Sequence, residues 1–237
     1  MNDRNRVVYE PHVGASRQYW RDIILGVNDG LVSVFLLVAG VVGGGFDRRQ
    51  VLLTAVAGAI AGAVSMAAGE YLATKSQSEV LQSEIELEKT HIEHFRNREL
   101  AQLYQLFREI EIAEDDLTDV VRAFGRDDAT LLNAMKVMEF GMVDSEERSP
   151  IKAMLMSGGL FLSGSIPSVV PFLFDLTPHV GLAVAALLVA IALIAVGVVK
   201  TFITRGNPVF AGLENLAIAA IGGGVAYGVG RLIGVAV

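Results

Sequence analysis

The chain has 237 residues, 52% of them hydrophobic, with 25 glycines, no cysteine and a net charge of −7. A mean hydropathy of +0.49 is too high for an ordinary soluble domain of this length, and the lack of cysteine excludes disulfides, thiolate zinc sites and cysteine catalysis. Charge is segregated: residues 75–150 hold 18 of the 26 acidic and 9 of the 19 basic residues, a local −9 against +2 elsewhere, so an acidic, water-facing block interrupts an apolar chain.

Residues 1–20 are polar and give no pattern of a cleavable signal peptide, so the membrane segments themselves are expected to direct insertion. A bilayer core about 30 Å thick needs roughly 20 mostly apolar residues per helix. Five segments meet that requirement: Ile23–Gly45; Val51–Ala73, interrupted by Glu70; Ala153–Phe174, broken by Pro167 and Pro171; Val180–Val199; and Val209–Val237, carrying Glu214 and Arg231. Between the second and third, the acidic block reads as helical. Val80, Leu81, Ile85, Leu87, Ile92 and Phe95 recur at three- to four-residue steps within a helix from Glu79 to about Phe107. With no breaker after Gly69, the second membrane helix is expected to run on into it. A second insert helix is predicted from Ala113 to Ala123. A third starts at Asp127–Asp128, which suit an N-cap and first turn, and reaches about Met142.

The expected architecture is therefore an all-α membrane protein. It has five transmembrane helices with a helical acidic cytoplasmic insert between the second and third, divided as residues 1–74, 75–150 and 151–237. Arg4, Arg6, Arg17, Arg21, Lys75, Lys152, Lys200 and Arg205 fall on one side, and Arg48, Arg49 and Arg231 on the other. The positive-inside rule then places the N-terminus and the insert in the cytoplasm and the C-terminus outside. The expected location is a plasma (inner) membrane in a prokaryote or a vacuolar-type membrane in a eukaryote.

The first membrane segment keeps Asn28 and Asp29 inside its apolar run. An intramembrane carboxylate costs at least a few kcal/mol and usually faces a partner, a cavity or an ion path. Asp22 and Asp29 lie two helical turns apart, about 10.5 Å along one face. The second helix returns with Ser65, Met66 and Glu70, the last two stacked at i, i+4. Counted from the cytoplasmic ends, Asp29 falls level with Met66, and Asp22 level with Glu70 within a turn. Carboxylates with a thioether favour Fe(II) or Mn(II) over harder ions. Asp22 and Glu70 also fit interfacial caps, and Met66 fits core packing. Gly58-xxx-Gly62 and Gly224-xxx-Gly228 fit either general helix packing or dimerisation.

The strings RDIILGVNDGLVSVF, AGAVSMAAGEYLATKSQSEV and MEFGMVDSEERSP resemble the vacuolar iron transporter (VIT) family of divalent-metal exporters over most of the chain. The resemblance implies a homodimer with a metal path at its interface, exchange of metal for protons, and Asp29 and Met66 lining the path beside Asp22 and Glu70. It also implies that the insert binds metal through glutamates of its long helix and a Met-Glu pair, here Met138-Glu139. On the long helix this chain offers Glu84, Glu88, His91 and Glu99; Glu88-x-x-His91 puts a carboxylate and an imidazole on one face. A solvated surface is the alternative for those four. Met142, Val143 and Asp144 all stand near the position that is usually acidic after the Met-Glu pair.

The expected function is export of Fe(II) and/or Mn(II) by proton antiport. No enzymatic activity, organic cofactor or nucleic-acid partner is expected, and no GxxxxGK[ST] motif offers an ATP drive. The rival is a membrane-anchored metal-binding or ferroxidase-like protein. Di-iron bundles draw Glu-x-x-His motifs from paired helices, and only one such motif occurs here. A scaffold without metal leaves the acidic and thioether column unexplained.

Overall fold

The computed structural model describes residues 17–141, 148–204 and 206–236. Arg4, Arg6, Arg205, and Met142, Val143 and Asp144 lie outside the described residues, as do the first three residues of the SEERSP stretch. The described chain is helical throughout: α1 Arg17–Gly43, α2 Arg48–Glu109, α3 Glu114–Phe124, α4 Asp128–Met138, α5 Pro150–Val169, α6 Pro178–Thr204 and α7 Pro208–Ala236. Five of these helices, α1, α2, α5, α6 and α7, are long and apolar enough to cross a membrane. The chain forms two compact units, residues 1–71 with 151–237, and residues 72–150.

In the first unit α1 is the central helix, because it is apolar on two faces. Val34, Val38 and Val42 pack with Val51, Ala55, Ala59 and Ala63 of α2 and with Phe161 of α5. Leu31 and Phe35 pack instead with Val189 and Leu193 of α6 and Ala219 of α7. The α2 residues recur every fourth position, which keeps them on one helix face. Large apolar side chains cover the outside of the unit, among them Leu53 at 70%, Leu155 at 66%, Phe210 at 72% and Leu232 at 75% exposure. Surface of that kind needs lipid or a partner against it.

Close approach of helices depends on missing side chains. A Cβ on Gly30 would overlap the Phe161 carbonyl of α5, and one on Gly164 would overlap the Val27 carbonyl of α1. Gly30→Ala is therefore expected to cost about 1–3 kcal/mol through overpacking, read as a lower melting temperature in detergent. Gly69→Ala, where nothing lies within 4 Å, should show no such loss. Gly58 and Gly62 make room within the chain for Leu37 and Phe161, whereas Gly224 and Gly228 face open space.

Some boundaries differ from the expectation. The third apolar segment leaves the α-helix at Val169, and a 3-10 turn, Val170–Leu173, carries Pro171 because proline cannot donate to a helical ladder. Arg48 at the start of α2 donates to the Phe172 and Phe174 carbonyls and pairs with Asp175 at 3.6 Å, which holds that turn. The last insert helix ends at Met138 rather than near Met142, with Gly141 in the left-handed region at φ 65° shortly after. Its start is as expected: Asp127 accepts from the Thr130 amide at 2.8 Å.

In the second unit, α2 continues to Glu109 but carries non-helical dihedrals at Phe95 (φ −130°, ψ 30°). No glycine or proline stands there. Beyond the break, Leu103 and Phe107 pack with Leu117 of α3 and Leu131 and Met135 of α4. Arg96 ties the break down by pairing with Asp128 and donating to the Gly125 carbonyl at 2.6 Å. Tertiary packing overrides a local preference for continuous helix.

Candidate functional site

Two groups of polar side chains stand out, one in each unit. In the first, Asp29, Ser33, Leu37 and Val34 of α1, Gly58, Gly62, Ser65 and Met66 of α2 and Phe161 of α5 line a cavity of about 350 Å³. Ser33 donates to Asp29 Oδ1 at 2.6 Å. The cavity exists because glycine occupies the α2 positions facing it, so Asp29 and Met66 share one space. Asp22 and Glu70 do not line it. Asp22 is buried and accepts from the Arg21 guanidinium at 3.3 Å, and Glu70 is half-buried one turn beyond Met66. Ser33 was not among the residues singled out from the sequence, although its i, i+4 spacing from Asp29 is visible there; Gly58 and Gly62 were noted only as a helix-packing or dimerisation pair.

In the second unit, Glu88, His91 and Glu99 come together. One ligand atom from each lies within 4.8 Å of the others. His91 Nδ1 stands 3.9 Å from Glu88 and 3.6 Å from Glu99. In an unbroken helix, Glu88 and Glu99 would be separated by about 16 Å along the axis; the break at Phe95 is what closes that gap. The two carboxylates are 4% and 5% exposed, and Glu88 Oε1 and Glu99 Oε2 are buried with no hydrogen-bond partner. Burial, followed by the charges of Glu99 and Glu139 and a hydrogen bond with Glu99, pushes the Glu88 carboxyl up to about 7.

Buried carboxylate oxygens without donors are costly, and a divalent cation would satisfy them. Oxygen and nitrogen ligands stand about 2.0–2.2 Å from such an ion, which the 3.9 and 3.6 Å separations of His91 from the two carboxylates already allow. Of the other residues picked out in the insert, Glu139 at the end of α4 is exposed and acts on Glu88 through its charge. Glu84 is exposed one turn before Glu88 and outside the trio. Met138 packs on the apolar cluster and lines a separate cavity of about 300 Å³ with Phe107 and Phe124.

A bundle of membrane-length helices with an acid-and-thioether cavity, together with a carboxylate–imidazole cluster in a second helical unit, defines the class of membrane proteins that handle metal ions. The chain belongs to the VIT family, whose model matches residues 20–231. It is 28% identical over 212 residues to a vacuolar iron transporter of Centaurea cyanus, covering 89% of this chain and 86% of that one. It is 28% identical to vacuolar iron transporter 2 of Oryza sativa subsp. japonica, covering 90% and 87%. Protein CCC1 of Saccharomyces cerevisiae is 27% identical, covering 90% of this chain and 68% of that protein. Family membership makes the chain a membrane metal transporter rather than an enzyme.

Proposed function

We propose that this chain exports Fe(II) or Mn(II) from the cytoplasm in exchange for protons, through a path on which Asp29 and Met66 are the central ligands. The observation that carries this reading is the cavity those two side chains share with Ser33 and Ser65. A carboxylate binds either a metal ion or a proton, and that alternation couples the two fluxes. Met66 adds a soft ligand that favours later first-row ions. Asp22 and Glu70, one on each of the two helices, extend the path toward the cytoplasmic ends, where the positive-inside rule puts the N-terminus and the insert.

The active form is a homodimer. Leu25, Asp29, Ser33 and Leu37 recur every fourth residue of α1 and are all exposed in the single chain. Leaving Asp29 facing lipid would cost about 3 kcal/mol by insertion scales, and a second copy against this face removes that cost. In the insert, Glu88, His91 and Glu99, supported by Glu139, form a receiving site that gathers metal ions before transport. Glu84 and Met138 stand nearby in sequence and contribute charge and a thioether to the same unit.

The test is purified protein in liposomes, with metal uptake and internal pH followed together under an imposed proton gradient. Metal movement with an opposed proton flux is expected; metal movement that leaves pH unchanged would remove antiport from the proposal. Met66→Leu keeps volume, and as a volume-conserving swap it should cost under about 1.5 kcal/mol of stability. Its expected effect is a loss of preference for Fe(II) and Mn(II) over harder ions. Unchanged relative rates would leave Met66 only a packing role.

A further inference from the structure

Asn28 precedes Asp29 on α1 but belongs to a different face. Asp29 lines the cavity it shares with Met66, whereas Asn28 is partly buried, with its Oδ1 enclosed and without a hydrogen-bond partner. On α7, Asn215 is 9% exposed and its Nδ2 is likewise enclosed and unpartnered. One helix thus offers an acceptor lacking a donor, and the other a donor lacking an acceptor. Neither amide is used by the transport reading above.

The register of α1 on α7 brings them level. A Cβ on Gly222 would meet Leu36, and one on Gly223 would meet Phe35. A Cβ on Gly40 would approach the Ala226 carbonyl, one on Gly43 would overlap the Tyr227 carbonyl, and one on Gly234 would overlap the Gly44 carbonyl. Residue numbers rise together on both helices, so the two run parallel, with facing residues 184 to 190 positions apart and the offset centred near 187. Leu31 and Ala219 share a cluster on the same offset. Continued one turn toward the helix starts, that offset pairs Asn28 with Asn215. Each also lies on its helix's contact stripe: Asn28 is seven residues, about two turns, before Phe35, and Asn215 is four before Ala219.

We infer that Asn28 and Asn215 satisfy one another across the α1–α7 interface through one shared water, and act as positioning residues for Asp29. Buried amides in a membrane bundle need such partners, and interhelical side-chain bonds are the usual means of supply. On α7 the stripe beyond them is glycine and alanine (Ala219, Gly222, Gly223, Ala226), which permits close approach but does not fix rotation of α1 about its axis. A hydrogen-bonded amide pair does fix it. Successive residues are about 100° apart around a helix, so pinning Asn28 against α7 sets where Asp29 points. The functional part rests on Asp29 being the transport ligand; the contact itself does not.

The chain's lack of cysteine makes the contact directly testable. The full-length protein carrying Asn28→Cys and Asn215→Cys should become cross-linked within one chain on oxidation or with a one-carbon thiol-reactive linker. The Asp29→Cys, Asn215→Cys protein should not. No link at the first pair, or equal linking at both, overturns the contact. In liposomes, Asn28→Ala and Asn215→Ala should each raise the metal concentration for half-maximal uptake by about three- to tenfold, the size an interhelical hydrogen bond supports. The double variant should be no worse than the worse single, and Asn215→Gln should recover what Asn215→Leu does not. Effects that multiply in the double variant, or a lowered melting temperature with unchanged half-maximal concentration, overturn the positioning role. If Asp29→Asn transports normally while the 28–215 link forms, the transport reading fails and the contact stands.

Discussion

Asp29→Asn is expected to abolish metal transport while leaving the protein folded. The substitution is nearly isosteric and preserves an acceptor for Ser33, whose hydroxyl donates to Asp29 at 2.6 Å. It removes only the charge that a metal ion or a proton would neutralise. Melting temperature in detergent should hold or rise, because an ionised carboxylate on an exposed membrane-helix face is unfavourable without its ion. Metal flux in liposomes should fall to the level of protein-free vesicles, and proton flux with it. Normal flux in the variant would rule Asp29 out as a ligand for either ion.

The second large effect is expected in the insert, where metal binding should depend steeply on pH. With its carboxyl pushed up to about 7 by burial and by Glu99 and Glu139, Glu88 keeps a proton that a cation must displace. Displacing one proton weakens binding by about tenfold for each pH unit below that value, and binding should release a proton there. Calorimetry on the full-length Asp29→Asn protein in buffers of different ionisation enthalpy measures both quantities. Glu88→Gln should flatten the dependence, and Glu139→Gln should move it to lower pH by removing one of the charges that raise Glu88. A pH-independent affinity in the wild-type insert would show that Glu88 is not a ligand.

The same shift has a consequence for stability, with the sign set by which state holds the proton. Between the ordinary value of 4.5 and about 7, the folded chain binds a proton at Glu88 that the unfolded chain has released. Stability conferred by that proton is present at low pH and is lost as pH rises through this window. The metal-free protein should therefore melt at lower temperature near neutral pH than near pH 5, about as far as one buried carboxylate allows. Added divalent metal should reverse the loss, because the cation takes the proton's place among Glu88, His91 and Glu99.

The sequence by itself determined the local structure and much of the path. Runs of about 20 apolar residues required helices of bilayer length; α2, α5, α6 and α7 begin within three residues of where those runs do, and α1 six residues earlier. Asp29 was conspicuous because a carboxylate in such a run needs a reason, and Met66 followed from counting depth along an antiparallel neighbour. Asp127 announced the start of α4 by its chemistry. All of these depend on residues close in the chain, where helical periodicity relates spacing to direction.

Only the tertiary structure decided which polar residues meet. Glu88, His91 and Glu99 share a cluster because the helix breaks at Phe95, and nothing in HIEHFRNREL marks a break. It arises from Leu103 and Phe107 packing on α3 and α4 and from Arg96 reaching Asp128. Met138 beside Glu139 reads in the sequence as a ligand pair, and in the packed insert its side chain also lines a cavity with Phe107 and Phe124. The faces of α1 were likewise settled by its neighbours. Glycines on α2, α5 and α7 determine how near each helix comes, which leaves Asp29 beside a cavity and Asn28 against α7. Periodicity gives the angle between two adjacent side chains, and only the packed neighbours decide what each one faces.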